Sequence, residues 1–235
     1  MSGQHGRPPV LYECKAGPAS ELLIVEGDSA AKSVDRVRDR ENQAILAMQG
    51  KPPNTSRASS NALQRNPMIR RLATTLRGQS FLRPDPADML ADLDDACPYQ
   101  TVTLLMDPDA DGIHCNVLWM GFFQRFMPML VAARRLRVVR APMSLIMIGD
   151  QVSFRASQLV VPGMGILAQS PDAETSIRKH LRDADIHIVK TLRYRGLASM
   201  SAAVLAQACV NASTRLDMVL TEDSINESRT MFGHT

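Results

Sequence analysis

Two short apolar runs, each ending abruptly in an acidic turn that contains glycine, constrain this chain more than any other feature. Glu21–Val25 is followed by Glu26-Gly27-Asp28-Ser29, and Thr101–Met106 is followed by Asp107-Pro108-Asp109-Ala110-Asp111-Gly112. Apolar runs of this length, bounded by turn residues, are typical of buried strands. The chain therefore presents two predicted strands whose carboxyl ends are both acidic.

Strands alternate with helices over most of the first 140 residues. Two further apolar runs predict strands at Ala44–Met48 and Leu136–Val139. Helical periodicity predicts helices over residues 30–40, 67–76 and 117–130, the first of them capped by Asp28 or Ser29. Alternation of this kind predicts an α/β fold with a mostly parallel sheet flanked by helices.

The pattern changes at Ala141. Beyond it we expect a hairpin that joins Leu145–Ile148 to Gln151–Phe154, helices near residues 173–182 and 201–211, and a strand at 186–192. The predicted organisation is a flexible arm over residues 1–10, an α/β domain over 11–140, and a C-terminal α+β tail over 141–235. The polar stretch Asn54–Asn66 is expected to be a mobile loop.

Composition excludes several classes of protein. With 45% hydrophobic and 22% charged residues, the chain is neither a long disordered segment nor a repetitive fibre. No apolar run approaches the ~18 residues of a membrane helix, and the first residues lack the apolar stretch of a secretory signal. The four cysteines are far apart and form no C-x-x-C pair, which fits a reducing cytoplasm. Arginine clusters fit either a phosphate-tracking face or a GC-rich genome.

The acidic turns predict a cation site. Ligands bind beyond the carboxyl ends of strands in open parallel sheets, so Glu26 would meet the aspartates there if the two strands are neighbours. In an extended stretch, Asp107, Asp109 and Asp111 would point to one side. Crowded carboxylates repel one another and raise each other's pKa values, a cost that a divalent cation removes. Oxygen donors favour Mg²⁺, with Mn²⁺ as an alternative.

The acidic turn also has simpler interpretations. An EF-hand loop counted from Asp107 would require a glutamate at its twelfth position, where this chain has Leu118. A solvated acidic loop without a ligand is the plainest alternative. The chain has no P-loop, no nucleophile elbow and no H-E-x-x-H motif. His114 could position a phosphate or a metal-bound water, or could serve only as a structural hydrogen-bonding group.

At these residues the sequence resembles the Toprim domain, and more narrowly that of the B subunits of DNA gyrase and topoisomerase IV. Glu26–Ala30 is similar to the family's EGDSA, and Asp107–Gly112 with His114 is similar to its DxDxDG-x-H. Near the end, Arg193–Leu197 with Met200 is similar to its RYKGLGEM. The resemblance covers roughly residues 11–220 and implies a Rossmann-like Toprim fold.

The resemblance also implies roles for individual residues. The catalytic set comprises the four carboxylates and one histidine: Glu26, Asp107, Asp109, Asp111 and His114. The same four carboxylates would hold Mg²⁺, and the implied DNA contacts are Lys51, Arg193 and Arg195, the two arginines near the base where the family meets its partner. In such enzymes a tyrosine of a separate A-type subunit attacks a DNA phosphate, and Glu26 could pass a proton during religation.

Two hypotheses follow for the chain as a whole. The first is a short stand-alone Toprim subunit, cytoplasmic and nucleoid-associated. It would have isomerase activity only together with DNA and a tyrosine-bearing A-type subunit. It would have no ATP site of its own, so a separate ATPase subunit could belong to the assembly. The chain could also form a homodimer. The second is a non-catalytic truncated paralogue that modulates DNA or an A-type subunit. It is motivated by departures from the family at Ala31-Lys32, Pro52-Pro53, Asn116 and Ala198-Ser199. A metal nuclease acting alone is a third option.

Overall fold

The two runs that end in acidic turns form neighbouring parallel strands of one sheet. A computed structural model describes residues 10–16, 20–77, 90, 93–149, 160–161 and 164–233. Within these residues the main sheet has six strands in the order β1-β3-β2-β4-β5-β10. The strands are β1 (Val10–Tyr12), β2 (Glu21–Glu26), β3 (Gln43–Met48), β4 (Thr101–Leu105), β5 (Leu136–Val139) and β10 (Asp217–Val219).

The four central strands of this sheet are parallel, and the two edge strands, β1 and β10, are antiparallel to their neighbours. A second, antiparallel sheet has the order β7-β8-β6-β9. Its strands are β6 (Ser144–Ile148), β7 (Val160–Val161), β8 (Gly165–Ala168) and β9 (Ile188–Arg193). The predicted α/β architecture with a mostly parallel sheet is confirmed.

Helices connect the strands and cover both faces of the main sheet. They are α1 (Gly27–Asp35), α2 (Ser60–Arg65), α3 (Pro67–Arg77), α4 (Leu93–Ala96), α5 (Ala110–Phe126), α6 (Pro128–Ala132), α7 (Pro171–Asp183), α8 (Ala202–Leu205) and α9 (Glu222–Met231). A 3₁₀ turn at Leu197–Ser199 precedes α8, and a π-helical turn at Ala206–Val210 follows it. None of the helices in the described ranges combines the length and hydropathy that a bilayer crossing requires.

Alternate residues of each central strand enter two different cores, which explains why these strands are continuously apolar. Leu22 and Ile24 pack on the face covered by α3 and α5. Leu23 and Val25 pack on the opposite face, against α1 and the C-terminal tail, including Leu145. A strand buried on both faces needs apolar side chains at every position, and each such side chain contributes about 1.5–3 kcal/mol.

The first helix begins earlier and ends earlier than the periodicity predicts. Gly27 has a φ of +80°, which lets the chain turn directly from β2 into α1. The capping position is Glu26, whose side chain makes no capping hydrogen bond, and Asp28 and Ser29 lie inside the helix, so the predicted caps are wrong. The helix ends at Asp35 because Arg38 folds back, donating from Nε to the Asp35 carboxylate and from Nη1 to the carbonyl of Gln43.

One other segment differs from expectation, and two predictions fall at least partly outside the described residues. The polar stretch 54–66, expected as a mobile loop, contains α2, whose start is capped by Ser59 through its Oγ. The predicted hairpin places Gln151–Phe154 beside Leu145–Ile148, but both edges of β6 pair with β8 and β9, and residues 151–154 lie outside the described part of the chain. Of the predicted flexible arm, residues 1–9 also lie outside it, and Val10 begins β1.

A buried ion network ties β10 to the amino edge of the main sheet. The Arg215 side chain is 2% exposed and donates to both oxygens of Glu21, at the start of β2, and to the Asp217 carboxylate. Glu21 also accepts hydrogen bonds from Gln43 and Thr103, on the two strands that flank β2. One carboxylate therefore links three central strands to the C-terminal edge strand.

Removing this guanidinium should destabilise the protein strongly. We expect Arg215→Met to lower the free energy of unfolding by about 3–5 kcal/mol, because it leaves the Glu21 carboxylate buried without its cation. Arg137→Met is the matched control: Arg137 pairs with the same Asp217, but its side chain is 37% exposed, so its loss should cost about 0–1 kcal/mol. Urea unfolding measures both, and equal losses would contradict this account of the network.

The second sheet is held to α7 by another carboxylate. Glu174 accepts hydrogen bonds from Ser144 on β6, from Arg178 one turn along α7 and from Arg193 at the end of β9. Burial alone would raise its pKa, but the hydrogen bonds from Ser144 and Arg178 and the nearby arginine charges hold the pKa of Glu174 below its ordinary value of 4.5. The folded state therefore releases this proton more readily than the unfolded state.

Glu174 should make the protein sensitive to acid. The ionised Glu174 side chain makes its full contribution to the free energy of unfolding above pH 4.5, the ordinary carboxyl pKa. That contribution is lost as the pH falls through the lowered pKa of the folded state. We expect Glu174→Gln to cost about 1–2 kcal/mol at pH 7 and progressively less below pH 4.5, in urea unfolding at several pH values. Glu227→Gln, at an exposed position of α9, is the control: its free energy of unfolding should differ little from that of the wild type at every pH.

Candidate metal and nucleic-acid site at the carboxyl edge of the sheet

Pairing of β2 with β4 brings the first two acidic residues together. Val25 lies opposite Leu105, so Glu26 is one residue beyond the last aligned pair and Asp107 is two residues beyond it. Neighbouring strands are about 4.8 Å apart. The structure therefore places Glu26 and Asp107 at the same point of the sheet edge.

The aspartate turn has a different shape from the one the sequence predicts. The extended arrangement of Asp107, Asp109 and Asp111 is wrong, because α5 begins at Ala110 and not near Val117. The Asp109 carboxylate caps the helix by accepting from the amide of Gly112 at 2.9 Å, and Asp111 lies in the first helical turn. The three aspartates thus precede, cap and enter one helix.

Gly112 allows this turn to close. A Cβ at this position would lie 2.2 Å from the carbonyl oxygen of Asp107, a distance that real side chains do not show. The first turn of α5 therefore sits directly on the backbone of Asp107. This contact is the physical reason for a glycine at the end of the acidic turn.

Glu26 and Asp107, the two half-buried carboxylates at this edge, have raised pKa values. Burial raises the pKa of Glu26 first, and the negative charges of Asp107, Asp109 and Asp111 raise it further against the opposing charge of Lys51. The pKa of Asp107 is raised by burial and by Asp109, against a hydrogen bond from the backbone of Leu197. Glu26 Oε2 is buried and, within the described residues, accepts no hydrogen bond. A cation at this edge would relieve both costs.

The carboxylates are not assembled into a metal cage. Within the ranges that the structure describes, no three His, Cys, Asp or Glu side chains are arranged to hold one metal ion. Asp107 Oδ1 accepts from the amide of Leu197 at 2.8 Å, Asp109 caps α5, and Asp111 lies 3.5 Å from the ammonium of Lys51. The donor set fits Mg²⁺ held by one or two carboxylates and completed by phosphate oxygens and water, which is how this ion commonly binds.

The predicted basic contacts Lys51 and His114 lie close to the acidic edge. Lys51 follows β3 and reaches Asp111, an ion pair in which both side chains are largely exposed. His114 lies on α5, one turn after Asp111, and its ring stacks on Phe232 at 5.9 Å between ring centroids. Both positions are compatible with a contact to an anion bound at the edge.

The two predicted arginines lie on the segment that closes the edge from the tail side. Arg193 ends β9 and its guanidinium donates to Glu174, while Arg195 is exposed. Two residues further on, the amide of Leu197 donates to Asp107. The segment 193–197 therefore reaches the acidic edge through its backbone, with Arg195 beside the contact.

Sequence reasoning missed two features of the site. The amide of Leu197 is a backbone donor, and no residue type encodes it. Cys115 lies on α5 within the field of the carboxylates, and burial first and Glu26 second raise the pKa of its thiol to about 12, so the thiol stays protonated at neutral pH. The apolar surroundings of Cys115 could be anticipated from helical periodicity, but its nearness to Glu26 could not.

Comparison with known proteins agrees with this geometry. The model of the Toprim domain family matches residues 21–141, which contain β2 to β5 and all four carboxylates. The DNA gyrase B subunit of Streptococcus pyogenes is 29% identical over 228 residues, 96% of this chain and 32% of that protein. The gyrase B subunit of Streptococcus pneumoniae is 30% identical over 230 residues, with the same coverage. That of Caulobacter vibrioides is 34% identical over 141 residues, 58% of this chain and 16% of that protein.

The chain thus spans about a third of the length of the Streptococcus relatives. The matched region combines a parallel sheet, an acidic carboxyl edge and the EGDSA and DxDxDG turns at the ends of adjacent strands. By sequence and by fold, this chain belongs to the Toprim domain family, as a Toprim domain of the type found in the B subunits of type IIA DNA topoisomerases.

Proposed function

We propose that this chain supplies the metal-binding and DNA-binding half of a type IIA topoisomerase cleavage–religation centre. A separate A-type subunit would bring the tyrosine that attacks the DNA phosphate. The similarity to DNA gyrase B subunits over 96% of the chain supports this assignment. The role implies a cytoplasmic, nucleoid-associated protein, with an ATPase subunit or a second copy of the chain as further possible members of the assembly.

The observation that carries the proposal is the pair of carboxylates at the ends of β2 and β4. Glu26 and Asp107 are half-buried, their pKa values are raised, and Glu26 Oε2 has no hydrogen-bond partner among the described residues. Folding has thus placed two acids where their charges are costly. Mg²⁺, or Mn²⁺ in its place, would neutralise the repulsion between these carboxylates. The bound ion would complete its coordination with the oxygens of a phosphate.

The residues around the edge have distinct roles in this proposal. Glu26 and Asp107 hold the ion, and Asp109 and Asp111 add negative charge to its field. A bound Mg²⁺ supplies electrostatic stabilisation of the charge that develops on the phosphate. Glu26 is also proposed to pass a proton to or from the 3′ oxygen during religation, the second role that the family resemblance implies for it.

Four further side chains are proposed to bind DNA phosphates. They are positively charged or able to donate hydrogen bonds, and they lie on α5, in the loop after β3 and on the tail segment whose Leu197 amide reaches Asp107: His114, Lys51, Arg193 and Arg195.

A second candidate function is favoured by the state of the aspartates. Asp107, Asp109 and Asp111 each already interact with a protein group: the amide of Leu197, the amide of Gly112 and the ammonium of Lys51. A protein that binds DNA or an A-type subunit without chemistry would keep these contacts permanently. In that case the chain is a paralogue that modulates its partner.

The test is DNA cleavage and relaxation with an A-type subunit in Mg²⁺. We expect Glu26→Gln and Asp109→Asn to lower the cleavage rate on the order of 10²-fold, because each removes a charge from the edge. Asparagine caps a helix as well as aspartate does, so Asp109→Asn keeps the start of α5. Asp183→Asn, at the exposed end of α7, is the control.

Three other results would each change the assignment. Equal cleavage by the wild type and the edge variants would defeat the proposal. A stable complex with the A-type subunit, but no cleavage at any Mg²⁺ concentration, would establish the modulating role. Nicking of plasmid by the chain alone would identify a metal nuclease.

The orientation of Asp107 depends on a glycine of the tail. A Cβ at Gly196 would lie 2.8 Å from Oδ2 and 3.2 Å from Oδ1 of Asp107. The obstructed atoms are the end of a side chain, so the carboxylate can rotate away, but it then loses the amide of Leu197. The tail segment that carries Arg195 therefore orients the carboxylate of Asp107, one of the two proposed metal ligands.

Gly196→Ala should separate the orientation of Asp107 from the fold. We expect a loss of about 1–3 kcal/mol in the free energy of unfolding, from the broken hydrogen bond between a charged acceptor and the Leu197 amide, and faster hydrogen exchange of that amide. Gly149→Ala is the control because a Cβ there meets nothing within 4 Å. If the Leu197 amide exchanges at the wild-type rate in Gly196→Ala, the contact does not orient Asp107.

A further inference from the structure

The C-terminal helix α9 lies along α5, the helix that carries Asp111 and His114. Ile225 anchors α9 in the core, and Asn226 accepts a hydrogen bond from Gln124 of α5 at 2.7 Å. Just beyond the end of α9, the Phe232 ring stacks on the His114 ring. The last described part of the chain therefore reaches the proposed site from the side opposite to the tail segment 193–197.

Arg229 links α9 to a second part of the site. Its guanidinium donates to Gln124 Oε1 of α5 and to Ser56 Oγ, each at 2.6 Å. Gly121 of α5 lies beside this arrangement, and a Cβ there would make ordinary contacts at 3.4 Å with Thr55 Oγ1 and at 3.9 Å with Arg229 Nε. A single side chain thus bridges three segments: α9, α5 and the loop that contains Ser56.

That loop, residues 51–58, is named here the Lys51 loop. It is also fixed to α5 by Arg125, which donates to the carbonyls of Thr55 and Ala58. The ion pair of Lys51 with Asp111 is weak, because the two side chains are 46% and 82% exposed. The position of Lys51 therefore depends on how the loop is anchored more than on its own ion pair.

We propose that α9 is a positioning element of the carboxylate edge. Arg229 fixes the Lys51 loop on α5, and Phe232 fixes the ring of His114, so that both basic groups face a bound phosphate. Neither Arg229 nor Phe232 touches the phosphate itself. The inference rests on the proposed function, because it assigns α9 the task of orienting residues that the proposal gives to DNA.

The first measurement needs no ligand. In hydrogen exchange of the full chain, Arg229→Lys should raise exchange across the Lys51 loop, because an ammonium cannot span Gln124 and Ser56 as the planar guanidinium does. Met231→Ala is the matched control, since this neighbour on α9 is 82% exposed. Arg229→Ala provides a second, stronger variant, and Arg229→Lys remains informative if the alanine variant unfolds. Unchanged exchange in the Lys51 loop would overturn the proposal.

The second measurement is affinity for a short DNA duplex in Mg²⁺. We expect Arg229→Ala to weaken binding of the duplex about 3–10-fold, as Lys51→Ala should. Both variants should also reduce, by about one, the slope of the logarithm of the binding constant against the logarithm of the salt concentration. In the Lys51→Ala background, Arg229→Ala should have little further effect. Additive losses would indicate a general structural role and would overturn the inference.

Phe232→Ala tests the other proposed contact of this element, the stack of the Phe232 ring on the His114 ring. It should weaken binding in the wild-type background and have little further effect in the His114→Ala background, whereas Met231→Ala should be neutral in both. If losses from Phe232→Ala and His114→Ala add, the stack does not position the histidine.

The two proposals fail in different ways. If the wild-type chain does not bind the duplex, the proposed function fails, and the assignment of α9 fails with it. If the wild type binds and both Lys51→Ala and Asp109→Asn alter binding, while Arg229→Ala and Phe232→Ala bind like the wild type, only the assignment of α9 fails.

Discussion

The parallel pairing of β2 with β4 is the constraint on which the remaining structure depends. It aligns two apolar strands so that their carboxyl ends, and the acidic turns that follow, come to one edge of the sheet. Each turn then starts a helix, α1 or α5, and the two helices cover opposite faces of the sheet. Close packing of both faces holds the strands in this register, because a slip by one residue would move each side chain into the opposite core, where it does not fit. Burial also raises the pKa values of Glu26 and Asp107.

The four central strands of the main sheet could be predicted to within one residue at each end, and the reason is chemical. In β2, β3, β4 and β5, unbroken apolar runs are bounded by charged or turn-forming residues, and the structure keeps those bounds. The start of α5 could not be predicted from periodicity, because it is set by a side-chain cap at Asp109 and by the absence of a Cβ at Gly112. Both are properties of one turn and leave no repeat along the helix.

The elements that escaped prediction are those whose stability comes from distant partners. The strand Asp217–Val219 has three residues and no distinctive pattern. It is held by antiparallel pairing with β5 and by the contact between Arg215 and Glu21, 194 positions apart in the chain. For the site, the residue types of the acidic edge were readable, but the backbone donor at Leu197 and the bridge made by Arg229 were not. Long-range hydrogen bonds of this kind carry no local signature in a single sequence.

The division of the core between the two faces of the main sheet limits how far the chain can be truncated without loss of folding. Residues 21–141 contain every central strand of the main sheet, yet Leu145, Leu167 and Leu197, which cover one face of that sheet, come later in the chain. A shorter piece that ended at Ala141 would keep the acidic turns but would expose a continuous aliphatic surface to water. Recombinant fragments intended for crystallisation or spectroscopy should therefore extend past Val210, the last residue of that core, even when only the carboxylate edge is of interest.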